Sequence, residues 1–222
     1  MAVSGLPPSR LVVVSHRHRL CAAAGVPAGA ARDLLLAMAD AAAAAGVGAF
    51  QLREPDLEAA DLLALARALR AVLGGTTLLV NDRADVAAAA GCGVHLRERS
   101  LPAARVRLAL PAVTPVWRAV HDVAGVEGAG PVDALVAGTV APTPSKAAGG
   151  PWLGADGLRA LVAAARGVPV YAIGGVTGAS WSSLAASGAH GCAAIGVFLP
   201  RRGEDCRSAM RRAVAGFALG VD

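Results

Sequence analysis

From residue 11 onward the chain repeats two hydrophobic patterns in alternation. Short apolar runs without inside/outside alternation occupy 11–16, 49–54, 77–82, 93–96, part of 112–120, 134–138, 168–175 and 191–199. Between them lie Ala- and Leu-rich segments with helical spacing at 30–45, 58–73, 83–90, 102–108, 155–166, 177–188 and 204–217, plus a helical turn at 121–129. Continuous apolar runs bounded by turn residues are strands buried on both faces, the signature of a parallel sheet. Short connections with right-handed crossovers then give strand–helix–strand units. Eight such units predict an α/β fold, a single (β/α)8 TIM barrel spanning 1–222, with 1–10 as a loose tail and 146–150 as a flexible insertion. An open, doubly wound sheet is the alternative topology.

Hydrophobic residues make up 55% of the chain, enough for a sizeable core. No apolar run is long and clean enough to span a bilayer, and residues 1–10 lack the basic-then-apolar order of a secretory signal. A cytoplasmic protein without a membrane partner is expected. The net charge of +5 comes mostly from scattered arginines, with one cluster at Arg201, Arg202, Arg207, Arg211 and Arg212 that reads as a solvated helix face. Aromatic residues are only 3%, too few stacking platforms for a nucleic-acid partner, so the positive balance points to an anionic small molecule. Cys21, Cys92, Cys192 and Cys206 show neither CxxC pairing nor metal spacing and read as buried, reduced thiols. Oligomeric state is open, a homo-oligomer included.

In a barrel the loops after the strands share one face, where chemistry collects. The seventh and eighth strands end in Gly174-Gly175 and Ile195-Gly196, where backbone N–H groups can approach a phosphate beside a helix N-terminus. Unusual polar residues stand at the other strand ends. They are Gln51 and Arg53, Asn81 and Asp82, His95, His121, then Thr143, Ser145 and Lys146 in PTPSK. Two hydroxyls and an ammonium in a loop stiffened by prolines suit a phosphate or carboxylate. Each group also has a structural reading. Asn81-Asp82 is either an N-cap or a site pair, His95 a core histidine or a ligand contact, His121 a cap or a catalyst, and Arg53-Glu54 a rim ion pair.

QLRE (51–54), VNDR (80–83), GVHL (93–96), PTPSK (142–146) and AIGG (172–175) occur in order, and in this series the chain resembles the thiamine phosphate synthase/TenI superfamily. The resemblance implies a (β/α)8 barrel acting in thiamine biosynthesis on a phosphorylated thiazole. It also marks departures. Pro55 stands where the synthases carry a lysine that holds a pyrimidine pyrophosphate, and Ser100 stands where they carry one of two Mg²⁺-binding aspartates, Asp82 matching the other. WRAVHD (117–122) resembles the TenI motif that carries an acid/base histidine, which aligns with His121. On these grounds the sequence reading is a metal- and cofactor-free thiazole tautomerase. His121 would move the proton, with His16 and His18 as rivals. Arg53, or Lys146 with Ser145 and Thr143, would take the carboxylate. Two alternatives stand beside it, a thiamine phosphate synthase, with Mg²⁺ required only there, and a catalytically silent phosphate-binding barrel.

Overall fold

The computed structural model describes residues 6–143 and 150–221. Its strands are β1 Leu11–Val14, β2 Ala49–Leu52, β3 Thr77–Asn81, β4 Gly93–Leu96, β5 Val116–Val120, β6 Ala134–Gly138, β7 Val170–Ile173 and β8 Gly191–Ala194. All pair in parallel in chain order, and β8 returns to β1 with Leu11 opposite Cys192, so the sheet is a closed barrel rather than an open one. The helices around it are α1 Arg17–Ala24, α2 Ala31–Ala44, α3 Ala59–Leu73, α4 Ala84–Ala90, α5 Ala103–Ala109, α6 Val123–Glu127, α7 Gly154–Ala164, α8 Gly178–Ala185 and α9 Cys206–Leu219. No single helix among the described residues is long and apolar enough to cross a membrane.

The strands are apolar on both faces because each face has its own core. Val13, Phe50, Leu52, Val80, Val94, Leu96, Leu135 and Ala172 pack outward against the helices. Val12, Val14, Ala49, Leu79, Trp117, Val136, Tyr171 and Ala193 fill the barrel interior. Large and small residues share that interior. Trp117 and Tyr171 stack with centroids 4.7 Å apart, and Ala49, Ala134 and Ala193 leave the room they occupy. One step further along the strands the inward positions turn polar, at Gln51, Asn81 and His95. The register places Asn81 beside His95, so these groups form a layer where the apolar plug ends.

The structure differs from the sequence expectation at several boundaries. No helix is predicted between β1 and α2, yet α1 is there. Its Arg-His-Arg start masks the apolar period, and only Leu20 and Cys21 are buried. The predicted strand 11–16 stops at Val14 because His16 caps α1, its Nδ1 accepting the Arg19 N–H at 3.5 Å. The segment before β1 is not loose throughout. Leu6 is buried and donates its N–H to the Phe217 carbonyl at 3.1 Å, closing the floor of the barrel against α9. All four cysteines are free and buried, and burial pushes the Cys92 thiol up to about 11, which keeps it protonated and inert.

Candidate active site

The C-terminal ends of the strands open into one cavity of about 980 Å³. Gln51, Arg53, Asn81, His95, His121, Thr143, Gly174, Gly175, Ile195 and Gly196 all line it, so ten predicted residues from seven strand ends meet in one place. Ser145 and Lys146 lie outside the described residues, as does most of the 146–150 insertion. His16 also reaches the cavity, whereas His18 is drawn off to Asp56 at 2.9 Å and does not.

On the floor, Gln51 ties Asn81 to His95. Its amide Nε2 donates to Asn81 Oδ1 at 2.9 Å and meets His95 Nδ1 at 2.8 Å. With Nδ1 accepting, the ring proton sits on Nε2, which is buried with no partner among the described residues. His95 is therefore neither a satisfied core histidine nor an acid. Burial pushes its pKa down to about 4, against a smaller opposing pull from Asp82. An unfolded histidine titrates near 6.5, so below that pH the unfolded chain gains a proton that the folded chain refuses. Stability attributable to His95 is unaffected above about pH 6.5 and falls as pH drops, by about 2–3 kcal/mol at pH 4.5. The urea-midpoint gap between wild type and His95→Gln should accordingly narrow from pH 7.5 to 4.5. A gap that stays constant would refute the buried neutral ring.

Arg53 and Glu54 do not form the expected rim ion pair. Glu54 turns inward, accepting from the Ser15 hydroxyl at 2.6 Å, from the Arg17 N–H at 3.0 and 3.1 Å, and from the Arg17 guanidinium at 3.2 Å. Ser15 Oγ in turn accepts the Arg53 N–H at 2.9 Å. Glu54 thus fixes the start of α1 and the loop that carries Arg53 into the cavity.

Asn81-Asp82 is not an N-cap either, since α4 begins after Arg83 with no side-chain cap. Asp82 adopts φ 62°, a left-handed conformation that aspartate tolerates, and its backbone N–H donates to the His95 carbonyl at 2.8 Å. One carboxylate oxygen accepts the Ser100 hydroxyl and the other pairs with the Arg97 guanidinium. The Arg97 N–H donates to Ser100 Oγ at 2.8 Å. Arg118, buried on β5, anchors this loop by donating to the Glu98 carbonyl at 2.7 Å and the Leu101 carbonyl at 3.1 Å.

These residues do not fit the Mg²⁺ that the resemblance implies for a synthase. Mg²⁺ demands near-octahedral oxygen ligands, usually with one or two carboxylates. Here the second carboxylate is a serine, and a guanidinium covers the first.

On the opposite side, Gly174 and Gly175 (φ 93° and 69°) and the 3-10 turn Gly196–Phe198 form a cup. Thr177 caps α8 through a reciprocal box with Ser180, leaving the helix N-terminus facing the cup. A Cβ on Gly196 would lie 3.5 Å from Arg19 Nη2, which sets a guanidinium beside the cup. Arg19 is not legible as a site residue in the sequence, because the pattern hides the helix that carries it. His121 stands on the wall between the two regions, its Nδ1 in hydrogen-bond contact with the Gly138 carbonyl, while the capping role falls to Asp122, which accepts from Gly125 at 2.7 Å.

A closed (β/α)8 barrel with a glycine cup facing an arginine-lined wall defines a class, the barrels that carry their candidate site at the strand C-termini. The profile of the thiamine monophosphate synthase family (TMP-TENI) matches residues 24–198, and the chain belongs to that family. A Geobacter sulfurreducens protein is 43% identical over 173 residues, 76% of this chain and 80% of its own. The thiamine-phosphate synthase of Moorella thermoacetica is 35% identical over 176 residues, covering 77% of this chain and 82% of that one. A solved structure of thiamine phosphate pyrophosphorylase from Pyrococcus furiosus superposes with a TM-score of 0.75 at 23% identity, over 97% of this chain and 98% of that one, which supports the fold. The Geobacter protein is named "Putative thiamine-phosphate synthase" and the Moorella protein a thiamine-phosphate synthase, and neither name points to the tautomerase branch expected from the sequence.

Proposed function

We propose that this enzyme is a thiamine-phosphate synthase, a transferase that joins a thiazole phosphate to a pyrimidine carbon bearing pyrophosphate. The observation that carries the reading is one cavity with two anion-binding poles. The glycine cup with Arg19 and the N-terminus of α8 suits a phosphate monoester. Arg53, Arg97 and Arg99 line the same cavity and suit a diphosphate.

In the transfer, the thiazole ring nitrogen forms a bond to the pyrimidine carbon. That carbon's bond to the pyrophosphate oxygen breaks, and the electron pair leaves with pyrophosphate. The chain's residues orient both partners and neutralise the charge that grows on the departing group. His95, neutral and with its proton on Nε2, offers a hydrogen bond to an acceptor on a substrate ring from the cavity floor. The relatives' names support the same reaction, and family membership supports small phosphorylated substrates as its partners.

The tautomerase is the second reading, favoured by His121, whose ring is held inside the cavity by the Gly138 carbonyl. One pair of assays separates the two. Pyrimidine pyrophosphate plus thiazole phosphate should release pyrophosphate, and His121→Gln should retain that activity within about tenfold, because no proton need pass through residue 121. A carboxythiazole phosphate that exchanges its carbon-bound proton in D₂O, with a loss of about 10²-fold or more in His121→Gln and no pyrophosphate release from the other pair, would replace the synthase with the tautomerase. Phosphate binding without either turnover would leave the silent barrel.

A further inference from the structure

We infer that Arg97 takes the place of a divalent cation in this pocket, so that the chain binds pyrophosphate through a guanidinium fixed on Asp82 and without a metal. The inference rests on the synthase reading for the identity of the anion, and on the loop 97–101 for its physical basis. Asp82 has both oxygens engaged, one by Ser100 and one by Arg97. A cation approaching that carboxylate would have to displace a like charge that is already seated.

The arrangement is built rather than incidental. Arg118 grips the loop by two carbonyls from inside β5, the Arg97 N–H is held by Ser100, and Asp82 is held in its left-handed conformation by the His95 carbonyl. Arg97 is clamped at its base and at its tip, yet its side chain remains 70% exposed at the cavity edge. A guanidinium bound to one carboxylate keeps N–H donors for a second anion, and its planar fork matches phosphate oxygens. Arg99 on the same loop and Arg53 across the mouth line the cavity with it. Three guanidiniums together supply at least the charge that one divalent ion would bring to a diphosphate, without its demand for octahedral ligands.

Titration calorimetry with inorganic pyrophosphate tests this on the whole chain. Wild type should bind pyrophosphate in EDTA, and millimolar Mg²⁺ should leave the affinity within about threefold. Arg97→Ala should weaken pyrophosphate by about tenfold or more in EDTA while leaving a thiazole phosphate monoester at the glycine cup unaffected. In the double variant Arg97→Ala/Ser100→Asp, which gives the site two free carboxylates, pyrophosphate binding should return only when Mg²⁺ is added. Thermal melts establish that each variant folds. Wild-type binding that appears only with Mg²⁺, or an Arg97→Ala affinity equal to wild type, would overturn the inference. Metal-free binding lost in Arg97→Ala but without any transfer activity would sink the synthase reading and leave this one standing.

Discussion

Gly175→Ala is expected to weaken binding of a phosphate monoester by about two orders of magnitude and to lower the melting temperature by several degrees. Two effects add. At φ 69° a side chain is strained, at about 1–2 kcal/mol for an ordinary L-residue. The new Cβ would also lie 2.5 Å from the Pro142 carbonyl oxygen and 2.8 Å from Ala141, both parts of the β6–α7 connection rather than flexible side-chain tips. The cup can admit the methyl only by moving its own N–H groups or that wall, and either change spoils the donors that meet the phosphate. Gly74→Ala is the control, because φ is positive there too, at 57°, with nothing within 4 Å of the Cβ. It should lose stability and keep its affinity. Calorimetry with a thiazole phosphate reads both variants, and equal affinities would show that the cup does not hold the phosphate.

The barrel was legible because both faces of every strand are apolar, so the strand runs stand out from the helices without help from alternation. The site was legible for a related reason. A polar residue such as Gln51 or His95 inside a parallel-sheet run has no solvent to face, and the strand's direction assigns it to the mouth. What the sequence concealed depended on tertiary contacts. Arg19 and Arg118 look like the other arginines of a basic chain, and only the fold brings one beside Gly196 and the other beneath the 97–101 loop. Asp82 and Ser100 are eighteen residues apart, and nothing in their spacing shows that Arg97 would close over them. Glu54 reads as a rim residue because its sequence neighbour is a cation, while its partners Ser15 and Arg17 lie just after the adjacent strand β1, in the loop and at the start of α1.

That hidden role makes Glu54 the second position of large effect. Glu54→Ala is expected to cost about 3 kcal/mol of stability, since removing one partner of a buried, multiply bonded carboxylate leaves its donors unsatisfied. The side chain is 1% exposed and meets the Ser15 hydroxyl, the first N–H of α1 and the Arg17 guanidinium. Asp56 can still hold the guanidinium, through contacts at 2.6 Å, but it reaches neither Ser15 nor the helix N–H. For a chain of this size the loss corresponds to a drop of about 6–12 °C in melting temperature. Asp56→Asn provides the comparison. That carboxylate is half exposed, and although hydrogen bonds from Arg17 and then His18 hold its pKa far below the ordinary range, solvent screening limits its contribution to about 1 kcal/mol or less. The two variants also differ at the mouth. Without Glu54, Ser15 is free to turn from the Arg53 N–H, so Arg53 should lose its aim and pyrophosphate affinity should fall with stability, whereas Asp56→Asn should leave affinity unchanged. Urea unfolding and pyrophosphate titration on the two proteins decide the matter. A Glu54→Ala protein no less stable than Asp56→Asn would mean that the carboxylate is dispensable beneath the mouth.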